Sequence, residues 1–291
     1  MASPFVQKAE KIEPRVVELT LAHSPDSDDA FMFYALATKK LATRDISFSH
    51  RLEDIETLNR KGLDGVYDVT AISFHAYPYL ADKYVLLTCG ASFGDRYGPL
   101  VVSHAGWKSG SLKGKRVAVP GKMTTAYLAL RLYEPEVEVV VTPFDHILDV
   151  VARGAVDAGV VIHEGQLTYS GAGLRKVMDL GEWWYQQTNL PLPLGANAVR
   201  RSLDSYTQRE VAALLKKSIQ YSLHHREEAL TYAQQFSRGL DTPTADRFVS
   251  MYVNDWTLDY GQRGRRAVQE LLDRGYQRGI LPKAVTAEYV E

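Results

Sequence analysis

"GPLVVSHAGWKSGSLKGKRVAVPG", residues 98–121, decides how the chain is divided. Leu100-Val101-Val102 is a short apolar run suited to a buried strand, and it runs into a stretch rich in Gly, Ser and Lys. A second apolar run, in "KRVAVPG", then restarts the pattern. Before this junction, "VVELTLAHS" (16–24), "ISFSH" (46–50), "DVTAISF" (68–74) and "KYVLLTCGAS" (83–92) read as strands. Helical segments fall between them, in "SPDSDDAFMFYALATKK" and in "DIETLNRKGLDG", the latter ended by Gly62 or Gly65. After the junction come helix "TTAYLALRLYE", strand "VEVVVTPF", helix "DHILDVVARGAV" and strand "AGVVIHE". Strands alternating with helices predict mainly parallel sheets with crossover helices. Beyond "LPLPLGANAVRR" the chain is helical almost to its end. The expected architecture is α/β with two lobes facing one interdomain cleft. Residues 1–104 and 197–291 form the first lobe and 105–196 the second.

Composition narrows the function classes. A chain of 291 residues is long for one compact core, which agrees with two lobes. Its 34 basic and 35 acidic residues balance to a net charge of −1, so nucleic-acid or anionic-membrane binding is not expected. The single cysteine, Cys89, excludes an internal disulfide framework and a CxxC motif. No apolar stretch approaches the ~18 residues of a membrane span. The N-terminal lead-in, "MASPFVQKAEKIEPR", has no signal-type hydrophobic segment, so a cytoplasmic location is expected. The expected partner is a small molecule, in a cleft.

Polar clusters stand where strands should end, the position at which open α/β sheets bind ligands. In "HSPDSDDAF", Ser24 and Asp29 can hydrogen-bond a ligand, or Ser27, Asp28 or Asp29 can simply cap a helix. The glycine and distal glutamate of an EF-hand loop are missing. In "VTAISFHAY", Thr70 and Ser73 end a strand. In "VPGKMTTAYL", Thr124 and Thr125 open a helix whose free amides and dipole suit a carboxylate or phosphate; the pattern is not a Walker loop. In "VVIHEGQLTY", His163 closes a buried run. Leu167 stands where a zinc protease helix needs its second histidine, and no GxSxG elbow exists. His163 is either a base or a hydrogen-bonded structural residue; strand alternation would turn Glu164 away from it. His23 and His75 are candidates for the cleft wall. Trp183, Trp184 and Tyr185 supply either interlobe packing or a stacking wall for an aromatic ligand.

Taken in order, "SPDSDDAFMFYAL", "LEDIETLNR", "VTAISFHAY", "YGPLVVS", "VAVPGKMTTAYL", "VVIHEGQLTY", "DLGEWW" and "LPLPLGA" resemble the 1,4-dihydroxy-6-naphthoate synthases of the futalosine route to menaquinone. The resemblance runs from about residue 17 to about residue 275. It implies a periplasmic-binding-protein-like (type II) fold used inside the cell. It also implies a lyase that converts cyclic dehypoxanthinylfutalosine to the naphthoate with release of a three-carbon fragment, without metal or organic cofactor. By resemblance His163 is the general base. Ala71, Ile72 and Ser73, with Thr125 and Ala126, bind the substrate. Some relatives carry lysine in place of Ala71, and an "SPCPNDTF" form in place of "SPDSDDAF"; the shared residues are Ser24, Pro25, Asp29 and Phe31. Chorismate dehydratase of the same route and a solute-binding protein are the alternative readings.

Overall fold

The computed structural model describes residues 16–107 and 110–290. The N-terminal lead-in through Arg15, on which the expectation of no signal segment mainly rests, lies outside the described residues, as does Lys108-Ser109. Among the described residues, eleven strands form two sheets. The first holds β1 (Val17–His23), β2 (Ile46–Leu52), β3 (Val69–Ser73), β4 (Tyr84–Leu86), β5 (Ser92–Gly94) and β11 (Leu192–Arg200), in the order β2-β1-β3-β11-β4 with β5 also on β11. The second holds β6 (Leu100–His104), β7 (Arg116–Val119), β8 (Glu138–Val141), β9 (Ala158–Val161) and β10 (Leu174–Asp179), in the order β10-β6-β9-β7-β8. The helices are α1 (Ser27–Ala37), α2 (Ile55–Leu63), α3 (Tyr77–Leu80), α4 (Thr125–Tyr133), α5 (Ile147–Ala152), α6 (Gly165–Thr168), α7 (Leu180–Thr188), α8 (Ser205–His224), α9 (Arg226–Gln234), α10 (Thr242–Tyr252), α11 (Asp255–Leu258) and α12 (Gly261–Gln277).

The α/β alternation is as read, but the sheets are mixed rather than mainly parallel. β1–β2, β1–β3, β7–β8 and β7–β9 are parallel; β11 runs antiparallel to β3, β4 and β5, and β6 antiparallel to β9 and β10. The exceptions have one cause. β6 and β11 follow the two passages between sheets, so they enter from the cleft side, opposite to strands fed by crossover helices. β6 was expected at the end of the first lobe but is bonded into the second sheet, and β11 begins in the first sheet at Leu192, ahead of residue 197. The single run "KYVLLTCGAS" is split into β4 and β5, with Gly90 between them in a left-handed conformation (φ +74°). Gly65 (φ +65°), not Gly62, makes the turn after α2.

Burial explains the layering. Every residue of β3 is buried, as a central strand covered on both faces requires. One face of the first sheet packs on α1, α8 and α9 through Leu19, Leu21, Phe31, Phe33, Leu215 and Ile219. The other face shares a core with the second sheet's helices, in which Ile72, Ala196, Leu128, Trp184 and Leu271 meet. The α7 aromatics belong to this packing. Trp184 is fully buried and donates Nε1–H to the Pro191 carbonyl (3.1 Å), while Trp183 meets Tyr133 edge-on.

Candidate functional site

The ends of β1, β3 and β9, the start of β11 and the first turn of α4 enclose a cavity of about 120 Å³. One water needs ~10–15 Å³ on this measure, so the space is ligand-sized rather than a packing defect. Ser24, Asp29, Ala71, Ile72, Ser73, Thr124, Thr125 and Ala126 all line it. So do Asp26, Asp28, Gln166, Asn197, Phe248 and Tyr252, which sequence reasoning did not place there. Thr70 does not reach the cavity: it is wholly buried in β3 with its hydroxyl donating to the Ala71 carbonyl (3.0 Å).

The acidic wall comes from the start of α1. Asp26 is the N-cap residue, yet its side chain makes no capping hydrogen bond. Asp29 instead accepts the Ser24 amide (2.8 Å), and Asp26 accepts the Ser24 hydroxyl (2.9 Å). Burial in the cavity wall pushes the Asp29 pKa up to about 7; the Ser24 amide opposes this and the Asp26 charge adds to it. Asp28 is raised as well, by burial first and then by the charges of Asp29, Asp26 and Glu164. This wall thus presents carboxyl groups that hold protons more tightly than ordinary aspartates.

The opposite wall is the α4 N-terminus. Thr124 caps it by accepting the Tyr127 amide (3.2 Å), which leaves the first-turn amides of Thr125 and Ala126 without helical partners. The Thr125 hydroxyl is already engaged. It donates to the Leu194 carbonyl (2.6 Å) and accepts the His75 amide (3.2 Å), so it ties the two sheets together. His75 lies behind this wall, stacked on Tyr127 and donating Nδ1–H to the Thr124 carbonyl (3.1 Å); burial lowers its pKa to about 4. His23 is likewise outside the cavity, stacked on Phe33, with its pKa lowered to about 3 by burial and the neighbouring His50. Asn59 of α2 holds Ser73 from both sides, accepting its amide (2.8 Å) and donating to its hydroxyl (3.0 Å). Glu56, one turn earlier, accepts the Met123 amide (3.0 Å). A Cβ on Gly121 would lie 2.2 Å from that carboxylate, so glycine here leaves the Glu56 side chain room to reach the loop. The "LEDIETLNR" segment carried the signal for both residues.

His163 is not part of the cavity wall, although its neighbours Ile162 and Gln166 are. β9 ends at Val161, earlier than read, and the chain turns into α6. The imidazole Nδ1 accepts the Gly165 amide (3.0 Å) and Nε2 faces the Phe144 carbonyl (3.0 Å). Since Nδ1 is an acceptor, the proton sits on Nε2 and is donated to Phe144. Glu164 does not point away as strand alternation required, because no strand persists there; its Oε2 is 3.8 Å from His163 Nδ1. Buried Glu164 accepts hydrogen bonds from Ser27 (3.0 Å) and from Arg238 (2.8 Å). Arg238, in the loop before α10, also binds Asp26 (2.6 Å) and lies over the Phe144 ring at 4.7 Å. One guanidinium thereby joins the α1 terminus, the β9–α6 turn and the C-terminal helices. Tyr252 makes a second such link, donating to Gln166 Oε1 (2.6 Å).

Among the described residues, no group of three His, Cys, Asp or Glu side chains is disposed to hold a metal ion, and no helix is long and apolar enough to cross a membrane. A family model described as menaquinone biosynthesis matches residues 19–277. A 1,4-dihydroxy-6-naphthoate synthase of Thermus thermophilus is 42% identical over 262 residues, covering 90% of this chain and 95% of its own. A crystal structure from Archaeoglobus fulgidus is 47% identical, with a TM-score of 0.87 over 91% of this chain and 98% of its own. The alkanesulfonate-binding protein SsuA of Xanthomonas axonopodis matches at a TM-score of 0.72 with 14% identity, over 94% of this chain and 97% of its own. That likeness establishes the periplasmic-binding-protein-like fold.

Proposed function

The chain belongs to the menaquinone-biosynthesis family, and on that premise we propose that it is a 1,4-dihydroxy-6-naphthoate synthase acting in the cytoplasm. Its substrate in this reading is cyclic dehypoxanthinylfutalosine and its reaction a carbon–carbon lyase step that releases a three-carbon fragment. The carrying observation is convergence. Ser24 and Asp29 from one end of the chain, Ala71, Ile72 and Ser73 from β3, and Thr124, Thr125 and Ala126 from the other sheet meet around one ligand-sized cavity. In this reading the two lobes are the two sheets with their helices, divided ahead of β6 and β11 rather than at residues 104 and 197, and the substrate binds between them.

The substrate carboxylate lies at the α4 N-terminus, where the Thr125 and Ala126 amides and the helix dipole favour negative charge. Proton removal beside a ketone gives an enolate, elimination opens the sugar-derived ring, and retro-aldol cleavage releases the fragment. Aromatisation drives the sequence forward. His163, beside the cavity, is the proposed base; its Nδ1 lone pair accepts the Gly165 amide, two residues along, and lies 3.8 Å from Glu164 Oε2, and ring rotation frees it. Catalytic contacts commonly tighten only in the substrate complex. Asp29 is placed to relay protons within the cavity.

The test is incubation of the purified chain with the cyclic substrate and mass detection of the naphthoate. Formation of the naphthoate and an equimolar three-carbon product supports the reading. Binding without turnover would favour a solute-binding role, and turnover of chorismate instead would identify the sister dehydratase.

A further inference from the structure

Asn197 stands in the middle of β11, opposite Ala71 of β3, and is 1% exposed. It lines the cavity together with Gly90, Ser92, Asp28 and Asp29. Its Nδ2 donates to the Gly90 carbonyl (2.7 Å). Because that carbonyl can only accept, the carboxamide is oriented with NH₂ toward Gly90 and Oδ1 away from it. The orientation is locked by contact. Gly90 is left-handed, and a Cβ there would lie 2.8 Å from Asn197 Nδ2. Among the described residues, no group donates a hydrogen bond to Asn197 Oδ1. A buried carbonyl oxygen left without a donor is costly, and such atoms call for an explanation.

We infer that Asn197 Oδ1 accepts a hydrogen bond from a ligand hydroxyl. Asn197 is therefore a binding residue that selects the hydroxylated half of the substrate. The inference rests on the proposed function and deepens it by orienting the substrate. One wall, the α4 terminus, offers backbone donors without helical partners, which suit a carboxylate. Asn197 Oδ1 on β11, and the Asp28 and Asp29 carboxyls at the start of α1, add acceptors to the same lining, which suit hydroxyl groups. A ligand charged at one end and hydroxylated at the other fits in a single orientation, with its sugar-derived hydroxyls toward Asn197 and the carboxyls.

The test is a cycle of protein and substrate variants read as calorimetric Kd. The variants are Asn197→Ala and wild type; the ligands are the cyclic substrate and analogues in which each sugar-derived hydroxyl is replaced in turn by hydrogen. For one analogue, wild type should lose about tenfold in affinity, or about 1.4 kcal/mol, whereas Asn197→Ala should bind analogue and parent equally. Additive losses for every analogue would overturn the inference, since a structural role at Gly90 does not couple to a ligand hydroxyl. If Asn197→Ala fails to fold, Asn197→Ser retains a hydroxyl that can serve Gly90, and the same cycle decides. Wild-type binding without turnover would sink the lyase reading while the cycle still decides Asn197. No wild-type binding at all would overturn both.

Discussion

Replacing Arg238 by alanine should raise the substrate KM far more than it lowers kcat. The guanidinium makes two charge-assisted hydrogen bonds, to Asp26 at 2.6 Å and Glu164 at 2.8 Å, and covers Phe144. Asp26 stands beside the first sheet and Glu164 and Phe144 beside the second, so opening of the cleft is expected to part Arg238 from one side or the other. The Glu164 bond involves a carboxylate whose side chain is only 4% exposed, and it is worth ~1.5–3 kcal/mol at full strength. The Asp26 bond is more exposed and contributes ~0.5 kcal/mol, the ring contact a similar ~0.5 kcal/mol. Arg238 is itself about one-third exposed (34%), which screens the sum toward its lower end, roughly 2 kcal/mol. A closed form weakened by that amount binds substrate about 30-fold less tightly. Steady-state kinetics should show this rise in KM, and small-angle scattering at one subsaturating ligand concentration should show a larger radius for the variant than for wild type. Arg238→Lys should fall between the two, because one ammonium cannot span both carboxylates in a planar fork. A KM within twofold of wild type, with unchanged scattering, would refute the clasp.

Three further outcomes are expected. His163→Asn should cut turnover per folded molecule by ~10²–10⁴, the usual cost of losing a general base; near-normal turnover, with only a fall in melting temperature from the lost Phe144 and Gly165 contacts, would leave the histidine a structural role. Asp29→Asn should flatten the acidic limb of the rate profile near pH 7, where burial has moved the carboxyl. The sign for stability follows: the native carboxyl keeps its proton up to about pH 7 while the unfolded one loses it near 3.8, so wild-type stability falls as pH rises through that window. Melting curves between pH 4 and 8 should show a smaller slope in Asp29→Asn, the remainder belonging to Asp28, and an unaltered slope would assign all of it to other groups. Thr125→Val removes a hydroxyl that links His75 to Leu194, so it should lower stability by ~1–2 kcal/mol and change KM little. A large KM effect at constant melting temperature would restore the hydroxyl as a direct ligand to the carboxylate.

The strand-and-helix rhythm was legible because crossover units leave strong local traces: short apolar runs such as Leu100–Val102, then capped amphipathic segments. Strand direction leaves no such trace. "LVVS" in β6 and "GANAV" in β11 look the same whichever way they run, and only the route of the chain between sheets makes them antiparallel. The polar ends of β1 and β3 and the α4 cap could be read as site elements because each has a local pattern. Arg238 and Tyr252 had none. They reach the cavity region from the loop before α10 and from the end of α10, 74 and 86 residues beyond their partners Glu164 and Gln166, a distance no spacing rule encodes. His163 was misplaced for a different reason: the apolar run suggested that the strand continued to residue 163, whereas pairing stops at Val161 and the following turn redirects both His163 and Glu164.

The position of β11 between β3 and β4 also constrains how the molecule comes into being. During synthesis β4 leaves the ribosome with no sheet neighbour, since its partner β11 follows more than 100 residues later. Until then the edge of β3 is open, and pairing between segments so far apart in the chain implies slow, late consolidation. The second sheet lacks this handicap, because β6 to β10 are contiguous in the chain and can pair as they emerge. A nascent chain halted before Leu192 therefore holds a complete second sheet beside an unfinished first one, whose bare β3 edge is a surface for chaperones or for aggregation.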